Sequence, residues 1–266
     1  MSVSSTHKRI NKLVDDEVIE AFTARPSAIA LKHLSVVIFG ISNAKSLDAV
    51  SKELGQHENI YSVAIATGKM LYISSYLRDI TGLRDFSAYV SKTANISEPT
   101  VGIMDIPYIT TPEPLTTIDY KILKSLNRDS RKPLTDIADE VGLSAKTVRK
   151  RLDRMIENYL VEFTIEMTLK SEHNLITGFH ISLNEGISID TSIQNIYEKF
   201  KQNVIGCLSY SNIPNFFTMY IWTKAIQDSQ KISEELQAEG FKDIIPIIFL
   251  HSKFYDCWVD QLLRTK

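Results

Sequence analysis

An internal repeat constrains the fold of this chain more than any other feature of its sequence. Residues 8–20 align with residues 150–162 without a gap, at an offset of 142, and charge and apolar character agree at nearly every position. Self-similarity over so long a period indicates duplicated modules. The first copy is shorter at its front, because residue 1 falls opposite Leu143. We therefore expect residues 1–26 to hold only the last helix and the strand of a module whose complete version occupies residues 111–168.

Each copy is followed by a longer segment in which strand and helix patterns alternate. Residues 27–110 contain four β-rich runs and two helical stripes in the order β-α-β-β-α-β, and residues 169–266 repeat that order. This order is typical of a ferredoxin-like domain. A proline-containing stretch, 107–114, is the expected linker to the central module. The apolar helical stripe over 254–263 is expected to pack on its own, second domain, with a partner-binding surface as the alternative.

The central module carries three consecutive helical patterns. A helix is expected over 116–128 and a second over 134–141, which Gly142 ends in a left-handed conformation. Ser144 caps the third helix, 145–158. An acidic amphipathic helix, a glycine turn and a cationic helix, followed by a strand, predict a winged helix-turn-helix, which places its last helix in the major groove of DNA. The predicted fold class is therefore α+β, with this module and two ferredoxin-like domains.

The charge distribution supports a discrete nucleic-acid module. The whole chain has a net charge of −2, whereas residues 131–154 hold seven basic and four acidic residues, a local charge of +3. A solvated surface helix is the alternative interpretation of such a run. The predicted DNA-binding residues are Arg131, Ser144, Lys146, Thr147, Arg149, Lys150, Arg151 and Arg154. In the first copy the residues of a secondary DNA contact are His7, Lys8, Arg9 and Lys12, with a remnant that only packs as the alternative.

Three segments of the central module, 115–123, 137–144 and 147–152, resemble the Lrp/AsnC family of transcription regulators. The resemblance implies a winged helix-turn-helix followed by a ferredoxin-like (RAM-type) domain for dimerisation and ligand response. It predicts a DNA-binding transcription regulator whose partners are double-stranded DNA and a second copy of the chain, expected as a dimer. A metabolite-sensing or protein-interaction protein with a vestigial DNA-binding unit is the alternative.

The family also suggests where an effector would bind. Its loop between the second and third strands of the ferredoxin-like domain carries a glycine followed by acidic and polar residues. Gly68 retains the glycine, but the acidic positions are Lys69 and Leu71. Because a buried ammonium needs a carboxylate or several carbonyl acceptors, we expect weak or no response to ordinary amino acids. At most one ligand site per chain is predicted, near Gly68, which otherwise only makes the hairpin turn.

Other classes of site lack their signatures. Cys207 and Cys257 match neither a zinc pattern nor a disulfide framework, and the six histidines have no metal spacing. Gly68 and Lys69 lack the remaining residues of a phosphate-binding loop, and no hydrolase or dinucleotide motif is present. No apolar run reaches membrane length, and residues 1–9 lack the apolar core of a signal peptide. We therefore expect a cytoplasmic protein that uses no cofactor, binds no membrane and is not an enzyme.

Overall fold

The structure is a computed structural model that describes residues 3–15, 19–106, 113–167 and 175–266. The repeat is visible in its elements, because the helix and the strand of the first copy recur 142 residues later. The first copy comprises α1 (Val3–Asp15) and β1 (Ile19–Pro26), followed by a short helix α2 (Ala28–Leu31). The helix and the strand that we expected in residues 1–26 are thus present, although residues 16–18 between them lie outside the described residues.

The first ferredoxin-like domain has the predicted order of elements. They are β2 (Leu34–Ile41), α3 (Leu47–Leu54), β3 (Ile60–Ala66), β4 (Met70–Leu77), α4 (Leu83–Ala94) and β5 (Thr100–Ile103). Apolar residues on one face of the sheet pack under α3 and α4 as a closed core. Most of the predicted linker, residues 107–112, lies outside the described residues.

The central module contains the three predicted helices. They are α5 (Thr117–Leu126), α6 (Leu134–Val141) and α7 (Ala145–Glu157), and the strand β6 (Val161–Met167) follows. β6 pairs antiparallel with β1, so the wing is a two-stranded sheet built from both copies of the repeat.

The second ferredoxin-like domain repeats the order of the first. Its elements are β7 (Leu175–Ser182), α8 (Ile189–Phe200), β8 (Val204–Ser209), β9 (Phe216–Thr223), α9 (Ile226–Ala238) and β10 (Asp243–Phe254), and α10 (Trp258–Thr265) ends the chain. In each domain the fourth strand lies beside the first, followed by the third and the second. This order confirms the ferredoxin-like prediction.

The two domains share one antiparallel sheet of eight strands, in the order β5-β2-β4-β3-β10-β7-β9-β8. β10 makes the junction, because its first half pairs with β7 and its second half with β3, with a register shift between Phe249 and His251. The two edges also meet, since Met104 after β5 bridges Tyr210 after β8. The interface between the two ferredoxin-like domains is filled mainly by aromatic and aliphatic side chains. The two domains thus pack as an internal pseudo-dimer.

The C-terminal helix corrects an expectation. We expected its apolar stripe to cover its own domain, but Leu263 lies in the core of the central module and Trp258 packs on the first ferredoxin-like domain. The Trp258 indole donates a hydrogen bond to the carbonyl oxygen of Tyr76, at 2.9 Å. An apolar stripe indicates that a helix face is buried but not which partner buries it, and the prediction was wrong for that reason.

Candidate nucleic-acid interface

The scaffold of the interface is the three-helix core of the central module. Thr116 caps α5 and forms a capping box with Asp119, in which each side chain binds the other's backbone N–H. On α7 the residues Val148, Leu152 and Met155 are buried against α5 and α6. This stripe fixes which face of α7 is turned to solvent.

The turn before α7 has the predicted chemistry. Gly142 ends α6 with φ 69° and ψ 39°, a left-handed conformation that glycine adopts without a steric penalty. Ser144 then caps α7, because its Oγ accepts a hydrogen bond from the N–H of Thr147 at 3.2 Å. The two residues set the angle between α6 and α7, and Thr147 Oγ1 also lies 2.9 Å from Ser144 Oγ.

Three cations occupy the exposed face of α7. Lys146, Arg149 and Lys150 are all exposed and lie opposite the buried stripe, as the sequence predicted. Within the part of the chain that the structure describes, no ion pair involves any of the three. Their charges are therefore available to a polyanion.

The two other arginines of α7 have internal partners. Arg151 Nη1 lies 3.1 Å from Asp119 Oδ1, and Arg154 Nη2 lies 2.6 Å from Asp119 Oδ2. Arg154 also pairs with the exposed Glu113 at 2.8 Å. Burial alone would raise the pKa of Asp119, but hydrogen bonds from Thr116 and Arg151 and the charge of Arg154 hold it below its usual value. These two arginines brace α7 against α5, a role that sequence reasoning missed.

Arg131 lies beside the wing. Its guanidinium stacks over the ring of Phe22 in β1, 3.9 Å from the ring centroid. The contact spans the two copies of the repeat and leaves Arg131 exposed. It is thus apart from the three free cations of α7.

The residues predicted to make a secondary DNA contact lie on α1. His7, Lys8 and Lys12 are exposed, whereas the side chain of Arg9 lies outside the described part of the structure. Because α1 and α7 differ in numbering by 142 at both ends, Lys8 is the counterpart of Lys150 and Lys12 that of Arg154. The repeat therefore carries part of its cationic surface on each copy.

A buried ion network fixes the wing to the C-terminal helix. Arg25 of β1 lies 2.8 Å from Asp260 of α10 and 3.2 Å from Glu166 of β6, and all three side chains are buried. Arg128, after α5, reaches Glu166 at 2.7 Å. Sequence reasoning missed this network because Arg25 and Asp260 are 235 residues apart and no local pattern links them.

The predicted ligand position at Gly68 is a tight turn. Gly68 has φ 68°, and a Cβ added there would meet no atom within 4 Å. A cavity of about 450 Å³ lies elsewhere, between the two ferredoxin-like domains. It is lined by Phe39, Thr100, His180, Ser182, Leu183, Glu185, Ile213, Pro214, Asn215, Phe216 and Lys242.

Within this cavity His180 is the buried titratable group. Its Nε2 is 2.8 Å from the hydroxyl of Tyr72, which belongs to the other domain. Burial lowers the pKa of His180 to about 4, so the ring is neutral at pH 7. Among the described residues no group of histidine, cysteine and carboxylate side chains is suited to hold a metal ion. The helices in the same ranges are either too short or too polar to span a membrane.

Comparison with known proteins identifies the module. Residues 115–156 match the model of the AsnC-type helix-turn-helix domain. The transcriptional regulator Ptr1 of Methanocaldococcus jannaschii is 39% identical over 70 residues, which are 26% of this chain and 37% of Ptr1. The regulator LrpA of Pyrococcus horikoshii is 28% identical over 139 residues, 50% of this chain and 94% of LrpA.

The fold of the whole chain also has a counterpart. The crystal structure of the siroheme decarboxylase NirDL has a TM-score of 0.64 at 14% identity, over 100% of this chain and 88% of that one.

With Ptr1 and with LysM of Sulfurisphaera tokodaii, the chain matches only 37% and 39% of the relative's length. The sequence matches show that residues 115–156 form an AsnC-type helix-turn-helix domain and that the chain is similar to HTH-type transcriptional regulators over up to half of its length.

Proposed function

We propose that this chain is a DNA-binding transcription regulator that places α7 in the major groove. The observation that carries the proposal is the exposed set of Lys146, Arg149 and Lys150, without ion-pair partners among the described residues, on a capped helix after a glycine turn. Its sequence relatives are named HTH-type transcriptional regulators, which supports the same function. A cytoplasmic location accords with a protein whose partner is DNA.

The side chains of α7 have different tasks in this proposal. Arg149 is suited to the paired acceptors of guanine in the major groove, because its guanidinium offers two parallel donors. Lys146 and Lys150 act as point charges on phosphates, and Ser144 and Thr147 add hydroxyl contacts at the start of the helix. Arg131 contacts the phosphate backbone of the DNA from the side of the wing. Arg151 and Arg154 keep Asp119 as their partner and meet the DNA from the flank.

The test is fluorescence anisotropy with a duplex selected from a random DNA pool. Affinity should fall linearly with salt on logarithmic axes, by a slope of about 0.9 for each phosphate contact. Arg149→Ala should lower the affinity by about 1–3 kcal/mol, and Lys150→Ala should lower the salt slope by about 1. Lys121→Ala, an exposed lysine on α5, is the control.

Two outcomes would contradict this assignment. One is parental affinity in both α7 variants, and the other is an equal loss in the Lys121 control. Leu152→Ala separates binding from folding, because removal of this buried side chain should destabilise the module by about 2–5 kcal/mol. The unfolding temperatures of the Arg149 and Lys150 variants should remain those of the parent.

Association with a second chain is part of the proposal. Regulators of this type read two half-sites, and the second chain would supply another complete helix-turn-helix. The sheet pairing of the two ferredoxin-like domains is used within the chain, so a homodimer would need another surface. Light scattering at micromolar concentration should detect a dimer with DNA. A strict monomer with and without DNA would refute the homo-oligomer.

A small-molecule effector remains a separate proposal. We place it, if the chain uses one, near Gly68, and we expect ordinary amino acids to bind weakly or not at all. Calorimetric titration with the common amino acids tests this expectation. A micromolar dissociation constant for one of them would overturn it, and Gly68→Val should then abolish that binding if the site is where we place it.

The fold raises a second candidate, an enzyme. The siroheme decarboxylase NirDL shares the architecture of the whole chain, and one fold often serves unrelated functions. The cavity lined by His180, whose Nε2 contacts the hydroxyl of Tyr72, is where such chemistry would be sought. Incubation with siroheme, followed by absorbance and by product analysis, discriminates. Decarboxylation that His180→Ala abolishes would refute our proposal that the chain is not an enzyme.

A further inference from the structure

The wing relates the two copies of the repeat by an approximate two-fold axis. β1 and β6 occupy equivalent positions in the repeat and pair with each other in antiparallel register. Phe22 is opposite Ile165, and Thr23 is opposite Thr164, so the axis passes through the middle of both strands. A two-fold axis at this position also relates the element that precedes β1 to the element that precedes β6.

The elements that precede these strands are α1 and α7. Ile19, at the start of β1, pairs with Met167 at the far end of β6, and Val161 pairs with Pro26. The two helices therefore enter the ribbon from opposite ends. An eight-residue strand is roughly 26 Å long, and α1 and α7 lie beyond its two ends. The separation of the two helices should therefore approach the spacing of about 34–36 Å between successive half-sites on DNA.

The two helices offer DNA different charge and different chemistry, because α1 has three basic and one acidic residue and α7 has five and two. Lys8 of α1 takes the position of Lys150, and Lys12 takes that of Arg154. Both lysines are exposed, and neither forms an ion pair with another described residue. The counterpart of Arg149, however, is His7. An imidazole lacks the guanidinium's parallel donors, so α1 can hold phosphates but lacks the side chain best suited to guanine.

The two helices are also held differently. Leu152 and Met155 of α7 are buried in the three-helix core, whereas their counterparts in α1, Ile10 and Leu13, are only partly buried. α1 contacts β1. A helix with less buried apolar surface opens locally at a lower free energy. Contacts made by α1 should therefore be weaker than those made by α7.

We infer that one chain contacts two successive major-groove segments of DNA and that the two half-sites are unequal. α7 reads the sequence of one half-site, and α1 holds the phosphates of the other with little base preference. The inference rests on the proposed function, because it requires α7 to be the principal DNA-binding helix. It predicts an asymmetric operator for each chain.

The test combines footprinting with a double variant, Lys8→Ala and Lys12→Ala, on the selected duplex. Hydroxyl-radical protection should extend over two adjacent groove segments for each bound chain of the parent. The double variant should lose protection on one side only, and its salt slope should fall by about 2. Base-pair changes in the α7 half should lower affinity about tenfold or more, whereas changes in the α1 half should matter less than about threefold. Lys121→Ala is again the control.

The outcomes separate this inference from the proposed function. If Arg149→Ala and Lys150→Ala abolish binding while the double variant keeps the parental footprint and salt slope, the inference alone is wrong. Equal base preference in the α7 half and the α1 half of one chain's site would also overturn it, because α1 would then read bases as α7 does. If the α7 variants bind like the parent, the proposed function fails first. Circular dichroism of the double variant should match that of the parent, since both lysines are exposed.

Discussion

Asp119→Ala should destabilise the helix-turn-helix through the loss of one buried carboxylate. The Asp119 side chain is 0% exposed and accepts hydrogen bonds from the Thr116 N–H at 2.8 Å, from Arg151 and from Arg154. Breaking a buried ion pair costs about 3–5 kcal/mol. The two arginines are 28% and 29% exposed, so they can turn to water, which places the loss near the lower end.

A loss of about 3 kcal/mol would lower the unfolding temperature by roughly 6–12 °C in a chain of this size. Differential scanning calorimetry measures this shift directly. The matched control is Glu113→Ala, which also removes a carboxylate partner of Arg154. Glu113 is 63% exposed, and exposed ion pairs contribute about 0–1 kcal/mol. Equal shifts for the two variants would refute the claim that Asp119 braces α7.

Two further predictions concern the contacts between units. Gly102→Ala should destabilise the pseudo-dimer by about 1–3 kcal/mol, because the new Cβ would lie 2.3 Å from the Tyr210 ring. The control is Gly206→Ala, whose Cβ would meet nothing within 4 Å and which should unfold in urea like the parent. Asp260→Asn should cost roughly 3 kcal/mol, since it leaves Arg25 buried with Glu166 alone. Burial alone would raise the pKa of Asp260, but Arg25 holds it below its usual value of 3.8. Its stabilising effect is therefore complete above pH 3.8 and is lost as the pH falls through the lower native pKa, so acid titration of Asp260→Asn by circular dichroism should show a shallower loss than the parent.

Local patterns were sufficient to predict the helices of the DNA-binding module. α6 has the predicted bounds, and α7 ends one residue before the predicted end. Gly142 and Ser144 act as the residues that stop one helix and start the next. Such signals depend on hydrogen bonds over three or four residues, which a sequence displays directly.

Long-range pairings were not predictable in the same way. Arg151 and Arg154 were assigned to DNA from their position on the helix, yet both contact Asp119, which lies more than 30 residues earlier in the chain. Helical spacing indicates which face of α7 a side chain occupies, but not which residue of a neighbouring helix comes opposite. The same holds for α10, whose stripe predicts burial without identifying the surface that it covers.

The repeat predicted more of the structure than any other sequence feature. It also explains why strands and a helix of one predicted domain pack on another. β1 belongs to the first copy but completes the wing of the second by pairing with β6. β10 belongs to the second ferredoxin-like domain but pairs with β3 of the first. The chain then returns through α10, whose Leu263 enters the helix-turn-helix core. Each unit thus buries apolar surface and backbone donors supplied by another.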